Sequence, residues 1–205
     1  MNDFEQRQKL LQLCGQVCAK GLVCGSGGNI SIRCGGDILI TPTGRNLGAL
    51  SENDMVRMRP DGSVYGGCVP SRELHMHCRC YARADVACVV HVHSAYATAL
   101  ACLPLDPLCA VPVYTPGYAM SVGKLPVLPY LRPGSEDLAD MAGKVIAGRN
   151  SVLLAKHGVL TVGNNTEQAL NIAEEIEENA RIFFILAGRG SGLTEEEQAE
   201  LPRGY

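Results

Sequence analysis

The sequence has no tryptophan, and aromatic residues make up only 5% of its 205 residues. It has no apolar run approaching the roughly 20 residues that a membrane-spanning helix needs, so we expect no membrane association. Residues 1–9 are mostly polar and lack the apolar segment of a signal peptide. These absences favour a cytoplasmic protein.

An excess of charge of either sign is absent as well. The net charge is −3, which gives no basic surface of the kind that binds nucleic acid. Ten cysteines are present, but none has C-x-x-C spacing, so we expect reduced thiols, and no spacing supports a cysteine-bound zinc. With 46% hydrophobic and 19% charged residues, residues 1–205 are predicted to form a single globular domain.

Two histidines at the end of a predicted strand indicate a metal site. Residues 86–90 are apolar and lead into His91 and His93, whose side chains would lie on the same face, roughly 6.5 Å apart along the strand. A third histidine from another strand end, such as His157, would complete a three-histidine site with an open position, typical of catalytic zinc. The alternative is a pair of partly buried histidines hydrogen-bonded in a core.

The rest of the chain alternates predicted helices with short predicted strands. Ser135 and Asn165 have the side chains and the following residues of helix N-caps. A proline-rich segment, residues 103–134, is predicted to be a loop with short extended pieces. Further helices are predicted over 4–20, 73–82 and 94–100, and strands up to residue 33, over 38–40, on either side of 60–62, and over 86–90, 151–155 and 159–162.

Five short motifs occur in the order in which they occur in the class II aldolase/adducin family, which the sequence resembles over nearly its whole length. They are Gly-Gly-Asn-Ile-Ser at 27–31, Thr-Pro-Thr-Gly at 41–44, Pro-Ser-Arg-Glu at 70–73, His-Val-His-Ser at 91–94 and Lys-His-Gly-Val at 156–159. The resemblance implies a three-layer α/β/α sandwich with a mainly antiparallel central sheet. It also implies a homotetramer with active sites at the subunit interfaces. Adducin-like relatives lack the metal histidines, all three of which are present here.

Residues 114–134 are similar to the branch of the family that contains the 3-oxo-tetronate 4-phosphate decarboxylases. Two features depart from the known patterns. Arg72 stands where many aldolases have serine and where the decarboxylase branch tends to have lysine. Gly117 interrupts the Thr-Pro-Tyr that is usual in that branch, so both Tyr114 and Tyr118 stay candidates for a catalytic tyrosine.

The resemblance implies a metal-dependent lyase that breaks a carbon–carbon bond of a small phosphorylated sugar or sugar acid, through an enediolate of dihydroxyacetone phosphate. The metal would be Zn²⁺ or another divalent ion such as Mn²⁺ or Co²⁺. Glu73 would move a proton to the enediolate carbon. A tyrosine from the neighbouring subunit, Tyr118 or Tyr114, would protonate the leaving oxygen in an aldolase. The other implied site residues are the metal ligands His91, His93 and His157, and the substrate- and phosphate-binding residues Gly28, Asn29, Thr43, Gly44, Ser71 and Arg72.

Three functions stay open, and decarboxylation of a 3-oxo-tetronate 4-phosphate is the favoured one. The first alternative is an aldolase of the L-fuculose-1-phosphate type. The second is a non-catalytic, metal-stabilised tetrameric binding protein. A competing metal set at Glu73, His75 and His77 is rejected because residues two apart on a helix do not share a face. His77 is therefore expected to be a structural histidine and His75 a surface or packing residue.

Overall fold

One eight-stranded sheet runs through residues 3–202, the part of the chain that the computed structural model describes. In chain order the strands are β1 (Asn29–Cys34), β2 (Asp37–Ile40), β3 (Val56–Met58), β4 (Val64–Gly66), β5 (Cys88–Val92), β6 (Val127–Leu128), β7 (Ser151–Leu154) and β8 (Gly158–Gly163). Their spatial order is β4-β3-β2-β1-β5-β8-β7-β6. Strand β6 pairs with β7 in parallel, whereas the other neighbours pair antiparallel. The predicted mainly antiparallel sheet is confirmed only in part, because the sheet is mixed.

Seven α-helices surround this sheet within residues 3–202. They are α1 (Asp3–Ala19), α2 (Leu74–Cys80), α3 (Ala95–Ala101), α4 (Pro116–Ser121), α5 (Glu136–Ile146), α6 (Thr166–Leu186) and α7 (Glu195–Ala199), with 3₁₀ turns at Leu47–Ala49 and Glu52–Asp54. The side chains of Ser135 and Asn165 accept hydrogen bonds from the first turns of α5 and α6, as the sequence predicts. No helix of the described residues is long and apolar enough to cross a membrane.

Two apolar cores lie on opposite faces of the sheet and make the structure three-layered. Because strand side chains alternate between faces, Leu39 packs into the core that contains Leu10 of α1, while Ile38 and Ile40 pack into the core that contains Met76 of α2. Helices α1, α3, α4 and α6 contribute to the first core, and α2 and α5 contribute to the second. Each fully buried large apolar side chain contributes about 1.5–3 kcal/mol relative to an exposed one.

The proline-rich segment is more regular than predicted, since it contains α4 and β6. Thr115 accepts a hydrogen bond from the backbone N–H of Tyr118, and Pro116 occupies the first turn of α4. A threonine followed by proline is an N-cap signal, because proline at the first helical position loses no hydrogen bond and has a helical φ. The number of nearby prolines hid this signal.

The antiparallel pairings bring four strand ends to the same edge of the sheet. Asn29, at the start of β1, is opposite His91 near the end of β5. Val92 of β5 is opposite Val159 near the start of β8. The residue after β2, Thr41, donates its backbone N–H to Ile30 of β1. This edge therefore carries the predicted metal ligands and the predicted phosphate-binding residues of the loops at 27–31 and 41–44, but neither the segment before α2 nor the segment of Tyr114 and Tyr118.

The segment before α2 joins this edge through backbone contacts with the loop after β2. Pro42 and Pro70 form an isolated antiparallel bridge. The Ser71 backbone N–H donates to the Thr41 carbonyl at 3.2 Å, and the Thr43 N–H donates to Val69 at 3.0 Å. The start of α2 is thereby held beside the ends of β1, β2 and β5.

Candidate metal centre and active site

The structure brings His91, His93 and His157 together in a compact cluster. The Nε2 atom of His91 lies 2.9 Å from Nε2 of His93 and 3.3 Å from Nε2 of His157. Candidate ligand atoms of all three residues lie within 4.8 Å of one another. His157 reaches the cluster because it directly precedes β8, which pairs with β5.

The cluster has the donor chemistry that a divalent metal ion requires. His91 Nδ1 lies 3.0 Å from the Val159 carbonyl oxygen. A carbonyl oxygen only accepts, so Nδ1 carries the proton and the unprotonated Nε2 faces the other two rings. Burial lowers the pKa of His91 and His93, and lowers that of His157 to about 4, which keeps the imidazoles neutral and able to ligate. Nitrogen ligands of one tetrahedral zinc ion lie roughly 3.3 Å apart, close to the spacing here.

Glycines line the cluster where any side chain would collide with it. A Cβ at Gly158 would overlap the Val92 carbonyl oxygen and lie 2.8 Å from Cδ2 of His93. A Cβ at Gly27 would lie 3.0 Å from Nδ1 of His93. Sequence reasoning did not assign these two glycines a role at the metal site. Both glycines lie within the family motifs at 27–31 and 156–159, which was the available signal.

Glu73 is a buried acid that no helix cap explains. It lies at the N-cap of α2, yet its side chain makes no capping hydrogen bond, and only 6% of the residue is exposed. Burial raises the pKa of its carboxyl group, partly offset by a hydrogen bond from the Gly134 backbone N–H. A carboxyl whose pKa is raised in this way holds its proton to a higher pH than an exposed glutamate does. The contribution of Gly134, which has a φ of +73°, was not foreseen from the sequence.

The predicted phosphate-binding residues gather at the same sheet edge. Asn29 and Ser71 are mostly buried, and Gly28 and Gly44 have positive φ values of 76° and 68°. The backbone N–H groups of Thr43 and Ser71 are already used between the two loops. The hydroxyl groups of those residues, and not their amides, are therefore the donors that stay open to a ligand.

Arg72 and the two tyrosines are placed differently. Arg72 is exposed beside Gly134, where a Cβ would lie 3.1 Å from the Arg72 carbonyl oxygen. Tyr118 is fully buried in the core shared by α4 and α6, and its hydroxyl has no hydrogen-bond partner among residues 3–202. Tyr114 is half-buried against the same core. That core lies on the sheet face opposite His91, whose side chain alternates with those of Val90 and Val92.

The burial of Tyr118 does not support its predicted role as the general acid. A general acid must reach the atom that it protonates, whereas Tyr118 has 0% exposure and lies on the sheet face opposite His91. The sequence could not reveal this, because the ring is buried through the packing of α4 on α6.

The other two histidines stay outside the cluster, as predicted. His77 is fully buried and hydrogen-bonded to the side chains of Ser31 and Asn29. His75 is partly exposed, and its Nδ1 lies 3.4 Å from the carboxylate of Glu136 on α5.

With this geometry established, comparison with known proteins identifies the family. Residues 8–184 match the class II aldolase and adducin N-terminal domain family. This match covers most of the chain, which therefore belongs to that family, and the resemblance inferred from the five motifs is confirmed.

Several relatives are similar over almost their whole lengths. A 3-oxo-tetronate 4-phosphate decarboxylase of Haemophilus influenzae is 39% identical over 193 residues, covering 92% of this chain and 91% of that protein. An L-fuculose phosphate aldolase of Methanococcus maripaludis is 35% identical, covering 86% of this chain and 94% of that protein. The crystal structure of YgbL from Klebsiella pneumoniae has a TM-score of 0.94 and 36% identity, covering 98% of this chain and all of that one.

We predict that the histidine cluster holds one divalent metal ion per chain. Replacing His91 and His93 together by alanine removes two of three nitrogen ligands and should abolish stoichiometric binding. Elemental analysis of the purified protein, before and after dialysis against a chelator, measures the metal. Full metal content in the double variant would exclude the site.

A matched pair of glycine variants tests the shape of the same site. Gly158→Ala should lower metal content because its Cβ would displace His93 or the Val92 backbone. Gly148→Ala is the control, since a Cβ at Gly148 meets no atom within 4 Å. Equal metal content in the two variants would contradict the steric role of Gly158.

Proposed function

We propose that this chain is a metal-dependent carboxy-lyase that decarboxylates a 3-oxo-tetronate 4-phosphate. The observation that carries the proposal is the cluster of three histidines at one sheet edge, with the buried acid Glu73 on the segment that is hydrogen-bonded to the loop after β2 at that edge. The 39% identity to a 3-oxo-tetronate 4-phosphate decarboxylase favours this reaction over others of the family.

The reaction breaks the bond between the carboxylate carbon and the adjacent hydroxyl-bearing carbon. The bonding electron pair moves onto the neighbouring ketone, giving carbon dioxide and an enediolate. Addition of a proton to the carbon that lost the carboxylate then gives dihydroxyacetone phosphate. A divalent ion bound at the cluster supplies Lewis-acid stabilisation of the negative charge on the ketone oxygen.

Glu73 carries the proton in this proposal. Burial raises the pKa of its carboxyl and so favours the protonated form, which can donate to the enediolate carbon and later be reprotonated from solvent. Asn29, Thr43 and Ser71, with the Gly28 and Gly44 turns, hold the phosphate. The open hydroxyl and amide donors at this edge suit an anion.

Further features are proposed on the resemblance to the family. Zinc is the proposed metal, with manganese or cobalt as alternatives, because a three-histidine site with an open position suits it. A homotetramer and a cytoplasmic location are proposed from the same resemblance.

A sugar-phosphate aldolase is the second candidate, favoured by the 35% identity to an L-fuculose phosphate aldolase. Both reactions leave the enediolate of dihydroxyacetone phosphate, so one metal site and one acid can serve either. What differs is the group that departs, an aldehyde or carbon dioxide. The aldolase substrate also lacks the second anionic group, the carboxylate.

The test is an assay of the purified metal-loaded protein on both substrates. The proposal expects equimolar carbon dioxide and dihydroxyacetone phosphate from 3-oxo-tetronate 4-phosphate, detected by coupled enzymes. Dihydroxyacetone phosphate released from L-fuculose 1-phosphate, with no carbon dioxide from the keto acid, would establish the aldolase. Stoichiometric metal without turnover of either substrate, or of other phosphorylated ketoses, would favour the non-catalytic binding protein.

Glu73→Gln should keep the fold and lower kcat by about 10²-fold or more, the scale of a positioned acid or base.

The thermal stability of the Glu73→Gln variant gives a second, independent measure. The pKa of folded Glu73 lies above that of the unfolded chain, roughly 4.3, so ionisation above that pH destabilises the fold. The Tm of the metal-free variant should therefore exceed that of the wild type at pH 7 and converge with it below about pH 4.

Glu196→Gln is the control for this variant because Glu196 is exposed on α7. It removes the same charge and should leave kcat at the wild-type value, with no difference in Tm from the wild type. Turnover close to wild type in Glu73→Gln would exclude Glu73 as the proton carrier.

Arg72→Ser separates the two candidate reactions. A guanidinium beside Glu73 can hold a carboxylate or phosphate by two parallel hydrogen bonds, and the keto acid carries both groups. The variant should lose roughly 1.5–3 kcal/mol in kcat/KM on the keto acid. Arg149→Ser, which changes an exposed arginine just before β7 at the opposite sheet edge, should change nothing. Unchanged decarboxylation by Arg72→Ser would show that Arg72 does not bind an anionic group of the keto acid.

A further inference from the structure

A chain of four buried polar side chains runs from the interior to the candidate site. The hydroxyl oxygen of Tyr81 lies 2.9 Å from Oγ of Ser31, and that Oγ lies 2.7 Å from Nδ1 of His77. On the other side of the ring, Nε2 of His77 lies 2.6 Å from Oδ1 of Asn29. Ser31 and His77 are 0% exposed, Tyr81 5% and Asn29 7%. We call these residues the Tyr81–Asn29 chain.

Strand β1 and helix α2 face each other, and each contributes two residues to the Tyr81–Asn29 chain. Asn29 and Ser31 are two apart on β1 and therefore share a sheet face. His77 and Tyr81 are four apart, on and just after α2, and therefore share a helix face. Their neighbours on this side of the sheet are apolar, including Met76 and Val89. Four polar groups in such surroundings need mutual hydrogen bonds, because each would otherwise be buried without a partner.

The hydrogen bonds have one direction that satisfies every member. Burial lowers the pKa of His77 to about 3, so its ring is neutral and carries a single N–H. If Asn29 Oδ1 accepts from Nε2–H of His77, then Nδ1 accepts from the Ser31 hydroxyl, and Ser31 accepts from the Tyr81 hydroxyl. The donors then run from Tyr81 outward to Asn29.

This direction decides which end of the Asn29 amide faces the site. Its oxygen is taken by His77, and its nitrogen has no hydrogen bond to the described residues. Asn29 is opposite His91 in the β1–β5 pairing, so both side chains project from the same sheet face. The two N–H groups of the amide are thus free to donate at the edge where the histidine cluster lies.

We propose that His77 is a positioning residue for phosphate binding, holding the Asn29 oxygen so that the Asn29 NH₂ group donates to a substrate phosphate oxygen. This inference rests on the proposed function in one respect, the placement of a phosphate beside Asn29. Without the His77 donor, the amide can turn its oxygen toward the anion, and the interaction changes from attraction to repulsion.

The test compares two variants of His77 by their affinity for inorganic phosphate. His77→Leu removes the donor, whereas His77→Gln places an amide N–H close to the position of Nε2. His77→Leu should weaken inorganic phosphate binding, measured by calorimetry on the metal-loaded protein, by roughly tenfold, the effect of one charge-assisted hydrogen bond. His77→Gln should recover most of that loss, and both should keep the metal content of the wild type.

Kinetics on the phosphorylated substrate should show the same pattern. KM should rise in His77→Leu by a similar factor, with kcat within about threefold of wild type, because the phosphate is bound equally in the ground and transition states. Thr161→Val is the control, since Thr161 is equally buried on β8 but its hydroxyl bonds only to backbone carbonyls. It should lower stability without changing phosphate affinity.

Ser31→Ala provides a second route if His77→Leu does not fold. Without the Ser31 donor, His77 can move its proton to Nδ1, accept from the Asn29 amide and reverse that amide. Phosphate affinity should then fall, although neither His77 nor Asn29 has changed. Wild-type phosphate affinity in a folded His77→Leu or Ser31→Ala variant would overturn the proposal. The Tyr81–Asn29 chain would then serve only to satisfy the hydrogen bonds of buried polar groups.

Because inorganic phosphate is the probe, this inference and the proposed reaction fail separately. Weakened phosphate binding in His77→Leu would support the positioning role even if the wild type released no carbon dioxide from the keto acid. Decarboxylation by the wild type, with unchanged phosphate affinity in the variants, would leave the reaction standing and remove the role of His77.

Discussion

The antiparallel pairing of β5 with β1 on one side and β8 on the other is the constraint on which the site depends. It fixes Asn29 opposite His91 and Val92 opposite Val159. Strand register leaves little freedom here, because a slip of one residue would move His91 to the opposite face, into the core that contains Val90. Residues far apart in the sequence meet because the ends of neighbouring antiparallel strands alternate in direction and gather at the same edge.

Close packing around the histidine cluster leaves almost no room for variation. The rings of His91, His93 and His157 lie with centroids 4.7–5.0 Å apart. Gly27 and Gly158 provide the space in which the His93 ring fits. Rigid, well-packed supports of this kind hold ligands in the geometry that a metal requires, at the cost of tolerating no side chain at those glycines.

Burial shifts the pKa values of both Glu73 and the three histidines toward the neutral form of each side chain. Removal from water disfavours the charged form of any group. It therefore lowers the pKa of the histidines, which must be neutral to ligate, and raises the pKa of Glu73, which must hold a proton to donate it. The fold supplies both conditions by burying His91 and Glu73 and partly burying His93 and His157.

The sequence by itself determined the family, the helices capped by Ser135 and Asn165, and the same-face placement of His91 and His93. These depend on local periodicity, cap chemistry and short motifs, all of which involve residues close together in the sequence. Only the tertiary structure decided the burial of Tyr118 against α6, the support of Glu73 by Gly134, and the chain from Tyr81 to Asn29. Each of these joins residues from separate elements. No local sequence pattern predicts which helix face packs against which strand, because those contacts depend on how all the apolar faces pack together.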